Sequence, residues 1–287
     1  MPCLSDKHST MDNNQDNSIK SKWEDLNCKL SLPVMKAINK LGFRTMTPVQ
    51  AACIPLFIKN MDVAAEARRD EALKSHEIGA VVISPTRELA TQTSEVLQHF
   101  LGFIPGLSQM LMVGGRGVVK DVSEFRDKGA NIIIATPGRL EDLLMRKHDI
   151  NLPSAVKTLE VLILDEADRL LDLGFDKSLT TILSYLPKQR RTGLFSATQT
   201  KEIEMLIRAG LRNPVIVSVK EKNSNRLAAG EEALSTPLTL CNHYMMCEAD
   251  AKLATLLGFV RAHGSKKYML FLSTCACVEY FTVVLKA

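Results

Sequence analysis

The sequence predicts an open α/β fold built on a parallel sheet, and three observations predict it. Short runs rich in Val, Ile and Leu alternate with amphipathic stretches along the chain. The runs are three to seven residues long and continuously apolar, as in strands buried on both faces. Several lead at once into a turn of small or hydroxyl residues and then a helical pattern, the order of a βαβ unit. In such a sheet, ligands gather at the carboxyl ends of the strands.

Taken in order, Met1 to Lys20 is polar, rich in Asn, Asp and Ser, and lacks the apolar core of a signal peptide, so 1–20 reads as a disordered tail. From Trp23 the texture becomes regular. Leu32, Met35, Ile38 and Leu41 recur at helical spacing and Gly42 closes the pattern, which predicts a helix within Leu30–Leu41. The predicted strands are Val63–Ala65, Ala80–Ile83, Gln109–Val113, Asn131–Ala135, Val161–Leu164, Thr192–Phe195 and Val215–Val219. They place one domain at 21–219. Lys220–Pro237 is polar without apolar periodicity and reads as a linker at 220–237. From 238 the alternation resumes. Asn242–Cys247 and Tyr268–Ser273 are strand-like, and Ala249–His263 and Cys275–Lys286 are helical, so 238–287 reads as the opening of a second α/β unit.

Composition narrows the classes. Apolar residues make up 46% of the chain and charged residues 24%, an ordinary globular balance with enough for a core. A net charge of +4 permits a polyanionic partner without arguing for one. No run approaches the roughly eighteen apolar residues of a membrane span, so no membrane partner is expected. Seven cysteines, an odd number without a C-x-x-C pair, read as reduced thiols of an intracellular protein rather than as a metal cluster or disulfide framework.

The chemistry concentrates after four of the runs. Val161–Leu164 ends in Asp165-Glu166-Ala167-Asp168, which delivers two adjacent carboxylates to the ligand edge. One carboxylate suffices to hold Mg²⁺ that keeps its waters, and a neighbour can orient or deprotonate an attacking water. For D-E-x-D alone, an acidic helix N-terminus favoured by the helix dipole is the plainer reading. The other segments change the balance. Pro85-Thr86-Arg87-Glu88-Leu89-Ala90, Thr136-Pro137-Gly138-Arg139 and Ser196-Ala197-Thr198 each follow a strand and open a helical pattern. Such turns expose free backbone N–H groups and suit anions. Arg87 and Arg139, one turn in, are suited to charge-assisted contacts or to fixing a neighbouring carboxylate.

In order the chain gives Gly42-Phe43-x-x-Met46-Thr47-Pro48-Val49-Gln50, PTRELA, Gly114-Gly115, TPGR, DEAD and SAT. Together these resemble the DEAD-box ATP-dependent RNA helicases, from about Trp23 onward. The resemblance implies a RecA-like open parallel sheet with helices on both faces, followed by the start of a second RecA-like unit. It implies ATP and Mg²⁺ as cofactors. Gln50, with Thr47, would read the adenine edge, and Trp23 would lie against the base. Asp165 would hold Mg²⁺ through water, and Glu166 would be the general base. Ser196 and Thr198 would tie Asp168 to the RNA-facing side. Thr86, Arg87, Gly114, Gly115, Thr136, Gly138 and Arg139 would line a track for the RNA backbone, which carries no sequence information. RNA, not DNA, is the implied partner. Lys188–Thr200 and Ser273–Tyr280 further resemble the nucleolar subgroup that assembles the large ribosomal subunit. That implies pre-ribosomal particles as partners and a nuclear, nucleolar location.

The chain departs from this family twice. The family carries a G-x-x-x-x-G-K-[ST] phosphate loop and a long helix after its first strand. Here Asp62–Ala67 leads straight into Arg68-Arg69-Asp70-Glu71, and no Gly-Lys dipeptide occurs in the sequence. The arginines that the family's second RecA-like domain contributes to the ATP site are also not reached before Ala287. Both read as missing blocks rather than drift, because the flanking motifs are intact. The expectation is a truncated or exon-skipped product, or an error of the gene model, impaired in ATP binding and hydrolysis, or a non-catalytic RNA- or pre-ribosome-binding module.

Overall fold

Five of the apolar runs pair into one parallel sheet. In the computed structural model β1 (Ala80–Ile83), β2 (Gln109–Met112), β3 (Ile132–Ala135), β4 (Val161–Leu164) and β5 (Arg191–Leu194) lie in the order β2-β3-β1-β4-β5. Every neighbouring pair is parallel, and the register sets Ile83 beside Ala135 on one side and Leu164 on the other. The structure describes residues 21–58, 73–146, 149–198, 200–210, 215, 217, 241–264 and 266–286. The predicted strand Val63–Ala65, the Ala67–Arg68 junction, the 1–20 tail and the 220–237 linker lie outside them, as does most of Val215–Val219.

Side chains alternate across the sheet, as strand geometry requires. Val81, Ile83, Ile133, Ala135, Leu162 and Leu164 enter the larger core cluster. Val82, Leu111 and Ile134 turn to the opposite face. Helices cover both faces: α1 (Leu32–Lys40), α2 (Pro48–Ile58) and α3 (Arg87–Leu101) on the side of Ile134, and α4 (Val118–Lys128), α5 (Pro137–Met145) and α8 (Asp176–Tyr185) on the side of Ile133. Between the last two run the short α6 (Leu152–Ala155) and α7 (Ala167–Asp172), and α9 (Lys201–Gly210) follows β5. The larger core contains Leu140, Leu143, Leu144, Leu162, Leu170, Leu179 and Ile182, all fully buried. Each such side chain contributes roughly 1.5–3 kcal/mol on leaving water.

The chain divides into two units, Met1–Lys222 and Asn223–Ala287. In the second, α10 (Lys252–Ala262) and α11 (Cys275–Val284) form where helices are expected. The strands expected at Asn242–Cys247 and Tyr268–Ser273 do not form. Apolar patterning supplies a face to bury, but a strand exists only through a ladder partner, and among the described residues neither segment has one. Tyr244, Met246, Met269 and Phe271 accordingly stand exposed. Among the described residues no helix is long and apolar enough to cross a membrane.

Candidate functional site

Because all five strands run the same way, every motif turn reaches one edge of the sheet. The ladder continues one residue past the strands: Thr136 N donates to Met112 O, Ser84 N to Ala135 O, Asp165 N to Ile83 O and Phe195 N to Leu164 O. Thr136, Ser84, Asp165 and Phe195 thus form a last row across four neighbouring strands. With strands about 4.8 Å apart, Thr136 and Asp165 stand roughly 10 Å from each other.

Asp165 is half-buried, and burial pushes its carboxyl up; the Glu166 amide, donating to Oδ1 at 3.1 Å, pulls the other way. Glu166 is the residue of greatest backbone strain there. It is the one non-glycine residue of positive φ among those described, at φ 46°, ψ 56°. Its Oε2 is buried without a hydrogen bond, 3.9 Å from Arg169 Nη1. Left-handed backbone costs a non-glycine residue about 1–2 kcal/mol, and such strain concentrates at functional sites. Asp168 is held by the SAT turn. Thr198 donates to its Oδ2 from the hydroxyl at 2.9 Å and from the amide at 3.1 Å, and Ser196 Oγ donates to the Thr198 carbonyl at 2.7 Å. The structure therefore brings together all five residues of the expected catalytic group.

The residues expected along a backbone track fall into two layers. Thr86 caps α3, its hydroxyl accepting from Leu89 N at 3.3 Å, and the exposed Arg87 reaches over the Gly114-Gly115 turn. That approach needs glycine: Gly115 has φ +84°, and a Cβ there would lie 2.3 Å from Arg87 Nη1. Thr136 stands at the N-cap position of α5 without a side-chain cap hydrogen bond and is 8% exposed, while the Gly138 Cα faces open space. Arg139 lies in the inner layer. Its side chain is 7% exposed; Nη1 pairs with Asp121, and Nη2 donates to the Arg116 carbonyl at 2.6 Å. Of the two roles open to it in the sequence, Arg139 takes that of fixing a carboxylate. No motif of the sequence marks Asp121. Burial pushes its carboxyl up, against the pull of the Arg139 guanidinium. The signal was present, since Val118, Asp121, Val122 and Phe125 form one α4 stripe with a lone acid among apolar residues.

Near the start of the described chain, Thr47 and Gln50 cap α2 reciprocally. Thr47 N donates to Gln50 Oε1 at 2.9 Å and Gln50 N to Thr47 Oγ1 at 3.2 Å, and Gln50 is exposed. Trp23 is tied to the same loop, its Nε1 donating to the Phe43 carbonyl at 2.8 Å. It lines a shallow hollow of about 480 Å³ with Leu26, Cys28, Leu30 and Met35, and Gln50 is not part of that wall.

The acidic pair fits a hydrated divalent cation. Asp165 and Glu166 offer oxygen donors at a strand end, and Glu166 Oε2, 3.9 Å from Arg169 Nη1, makes no hydrogen bond. Of the segment between Ala65 and Ala80, where the family carries its phosphate loop, residues 66–72 lie outside the described residues and 73–79 within them.

Residues 47–206 match the family described as DEAD/DEAH box helicase. Over 285 residues the chain is 53% identical to the Gallus gallus protein named ATP-dependent RNA helicase DDX55, covering 92% of this chain and 48% of that one. It is 45% identical over 287 residues to DEAD-box ATP-dependent RNA helicase 18 of Oryza sativa subsp. japonica, covering 92% and 44%. The chain spans about half the length of the curated relatives it matches. The crystal structure of a DEAD box protein from the hyperthermophile Methanococcus jannaschii superimposes with a TM-score of 0.55 at 30% identity, covering 66% of this chain and 53% of that one.

Proposed function

The chain belongs to the DEAD/DEAH box helicase family, and from that premise we propose that it grips single-stranded RNA by the backbone at the carboxyl edge of its sheet, with the ATP-driven step of an RNA helicase impaired. The observation that carries the RNA-helicase reading is the Asp165–Glu166 pair, strained and unbonded at Glu166, joined through Asp168 to Ser196 and Thr198. In this reading Asp165 would hold Mg²⁺ through water, and Glu166 would act as general base toward the attacking water. ATP with Mg²⁺, when bound, would supply the phosphoryl group for transfer. Gln50 and Thr47 read the adenine edge with Trp23 nearby. Thr86, Arg87, Gly114, Gly115, Thr136 and Gly138 contact RNA phosphates, and Arg139 holds the Gly114–Gly117 turn from behind.

The impairment rests on the sequence between Ala65 and Ala80, which holds no Gly-Lys dipeptide; its one lysine, Lys74, is preceded by Leu73 rather than by glycine. Losing three phosphate hydrogen bonds at about 1.5 kcal/mol each weakens nucleotide binding about a thousandfold. Identity to proteins named as ATP-dependent RNA helicases supports the RNA partner. Work on pre-ribosomal particles of the large subunit, in the nucleolus, is the finer part of the proposal. The same missing dipeptide favours a second reading, a non-catalytic RNA- or pre-ribosome-binding module.

RNA-stimulated ATP turnover tests the first reading: this chain should not exceed a Glu166→Gln control, and turnover clearly above it would overturn the impairment. Pull-down from nuclear extract with and without RNase separates the two. Recovery of pre-ribosomal proteins that survives RNase favours the module.

A further inference from the structure

α2 carries Thr47 and Gln50 at its N-terminal end, yet no residue of α2 is fully buried. Its C-terminal turn is short of hydrogen bonds. Pro55 cannot donate to Ala51 O, and the last four carbonyls of a helix have no partner within it. One of those carbonyls is met from the sheet. Arg191, at the start of β5, donates Nη1 to Phe57 O at 2.8 Å, and its Nη2 lies 3.6 Å from Glu160 Oε2. A cation at a helix C-terminus is also favoured by the helix dipole. The Phe57 ring sits on Gly193, where a Cβ would lie 2.4 Å from Phe57 Cζ, and it stacks on Phe195 with ring centroids 6.4 Å apart. Phe195 in turn accepts from Ala167 N at 2.8 Å and precedes Ser196. One strand therefore docks α2 at its root and carries the SAT turn at its tip.

We propose that Arg191 and Gly193 are positioning residues that seat α2 on β5 and so set the Thr47–Gln50 end against the carboxylate edge, tuning selectivity for an adenine base. The assignment rests on the reading of Thr47 and Gln50 as the base-reading pair. Arg191 supplies the donor that the helix lacks, and Gly193 supplies the space that Phe57 fills. Neither touches the base; both act through α2.

Hydrogen–deuterium exchange on the full 287-residue chain tests the docking. In R191M the amides of Ala51–Phe57 should exchange about tenfold faster, the scale of one lost hydrogen bond, with β1 and β4 unchanged. R191K, which keeps one donor, should restore part of the protection. G193V should loosen α2 with Arg191 intact, by expelling Phe57. No change in α2, or equal acceleration throughout the sheet, overturns the docking. Photolabelling with 8-azido-ATP and Mg²⁺, competed by ATP or GTP, tests the consequence. ATP should compete better than GTP in the unaltered chain, and that preference should fall toward unity in R191M and in Gln50→Ala alike. A preference retained in R191M while α2 is loosened overturns the positioning role. No ATP preference in the unaltered chain overturns the base-reading assignment and the positioning role with it, and the exchange result then stands as a separate statement about α2.

Discussion

Thr198 grips Asp168 twice, through its hydroxyl at 2.9 Å and its backbone amide at 3.1 Å. Burial works to raise the Asp168 carboxyl, but the hydrogen bonds from Thr198, Arg169 and Ser196 together outweigh it and hold the group below the usual carboxylate range. The third acid of the DEAD run thus joins the β4 edge to the turn after β5, while, among the described residues, Asp165 and Glu166 make no side-chain hydrogen bond with that turn.

A Thr198→Val substitution should raise the titration midpoint of Asp168, followed by carbon-detected NMR of its carboxyl. The sign for stability follows. A carboxylate whose folded pKa is depressed contributes stability above its unfolded value of about 3.9, and that stability is lost as pH falls through the folded value. The variant should therefore be less stable than the parent near neutral pH, by about 1 kcal/mol for a partly solvated bond, and equal to it in strong acid. A constant gap across the acid range would show that the loss comes from packing instead.

Gly115 and Arg87 act as one unit, since the guanidinium occupies the space a Cβ would need, 2.3 Å from Nη1. Gly115→Ala should displace Arg87 and weaken binding of every single-stranded RNA several-fold, with the salt slope reduced by about 0.7 for each phosphate no longer neutralised. Arg87→Ala should do the same, and the double variant should bind no worse than either single one. Additive losses in fluorescence anisotropy would separate the two residues.

The sheet was legible in the sequence because parallel strands buried on both faces are uninterrupted apolar runs: Ala80–Ile83 and Val161–Leu164 stand where the sequence places them. The gathering of Thr86, Thr136, Asp165 and Ser196 at one edge follows from parallelism alone. Strand geometry could not be read at Asn242–Cys247 and Tyr268–Ser273, where a pattern exists without a ladder partner. The inner layer of the site was not legible either. That Arg139 turns inward depends on Asp121, eighteen residues earlier on another helix, and only the fold brings the two together. Gln50 and Thr47 entered only through the resemblance, and their reciprocal hydrogen bonds, three residues apart, are a finding of the structure.

Asn131 shows how a polar residue becomes fully buried with its hydrogen bonds made. Its Oδ1 accepts from Ser108 N and Oγ at 3.1 and 3.3 Å, and its Nδ2 donates to the Lys74 and Glu77 carbonyls at 2.8 and 3.1 Å. Asn131→Ala removes four side-chain hydrogen bonds, to Ser108 N, Ser108 Oγ and the Lys74 and Glu77 carbonyls, so urea unfolding should show a loss of about 3 kcal/mol. Asn131→Asp keeps the acceptor and loses both donors, and should lie between the parent and the alanine variant. A loss below about 1 kcal/mol in Asn131→Ala would mean that water replaces the side chain.

The buried Arg139–Asp121 pair makes a sharper distinction between two ways an arginine can serve an RNA edge. Removing one partner of a buried ion pair leaves a charge without compensation and costs about 3–5 kcal/mol, whereas replacing both by apolar groups of similar volume is often neutral. Arg139→Ala and Asp121→Asn should each destabilise on that scale in urea, and the double variant R139M/D121L should recover most of the loss. RNA binding, measured at a temperature where all variants are folded, then separates the roles. If Arg139 touched phosphate directly, Asp121→Asn would free its cation and binding would hold or improve. If Arg139 acts by holding the Arg116 carbonyl, and with it the Gly114–Gly117 turn, both single variants should lose RNA affinity equally, although one of them keeps the arginine. The second outcome is expected, because the guanidinium is 7% exposed and its donors already meet Asp121 and Arg116.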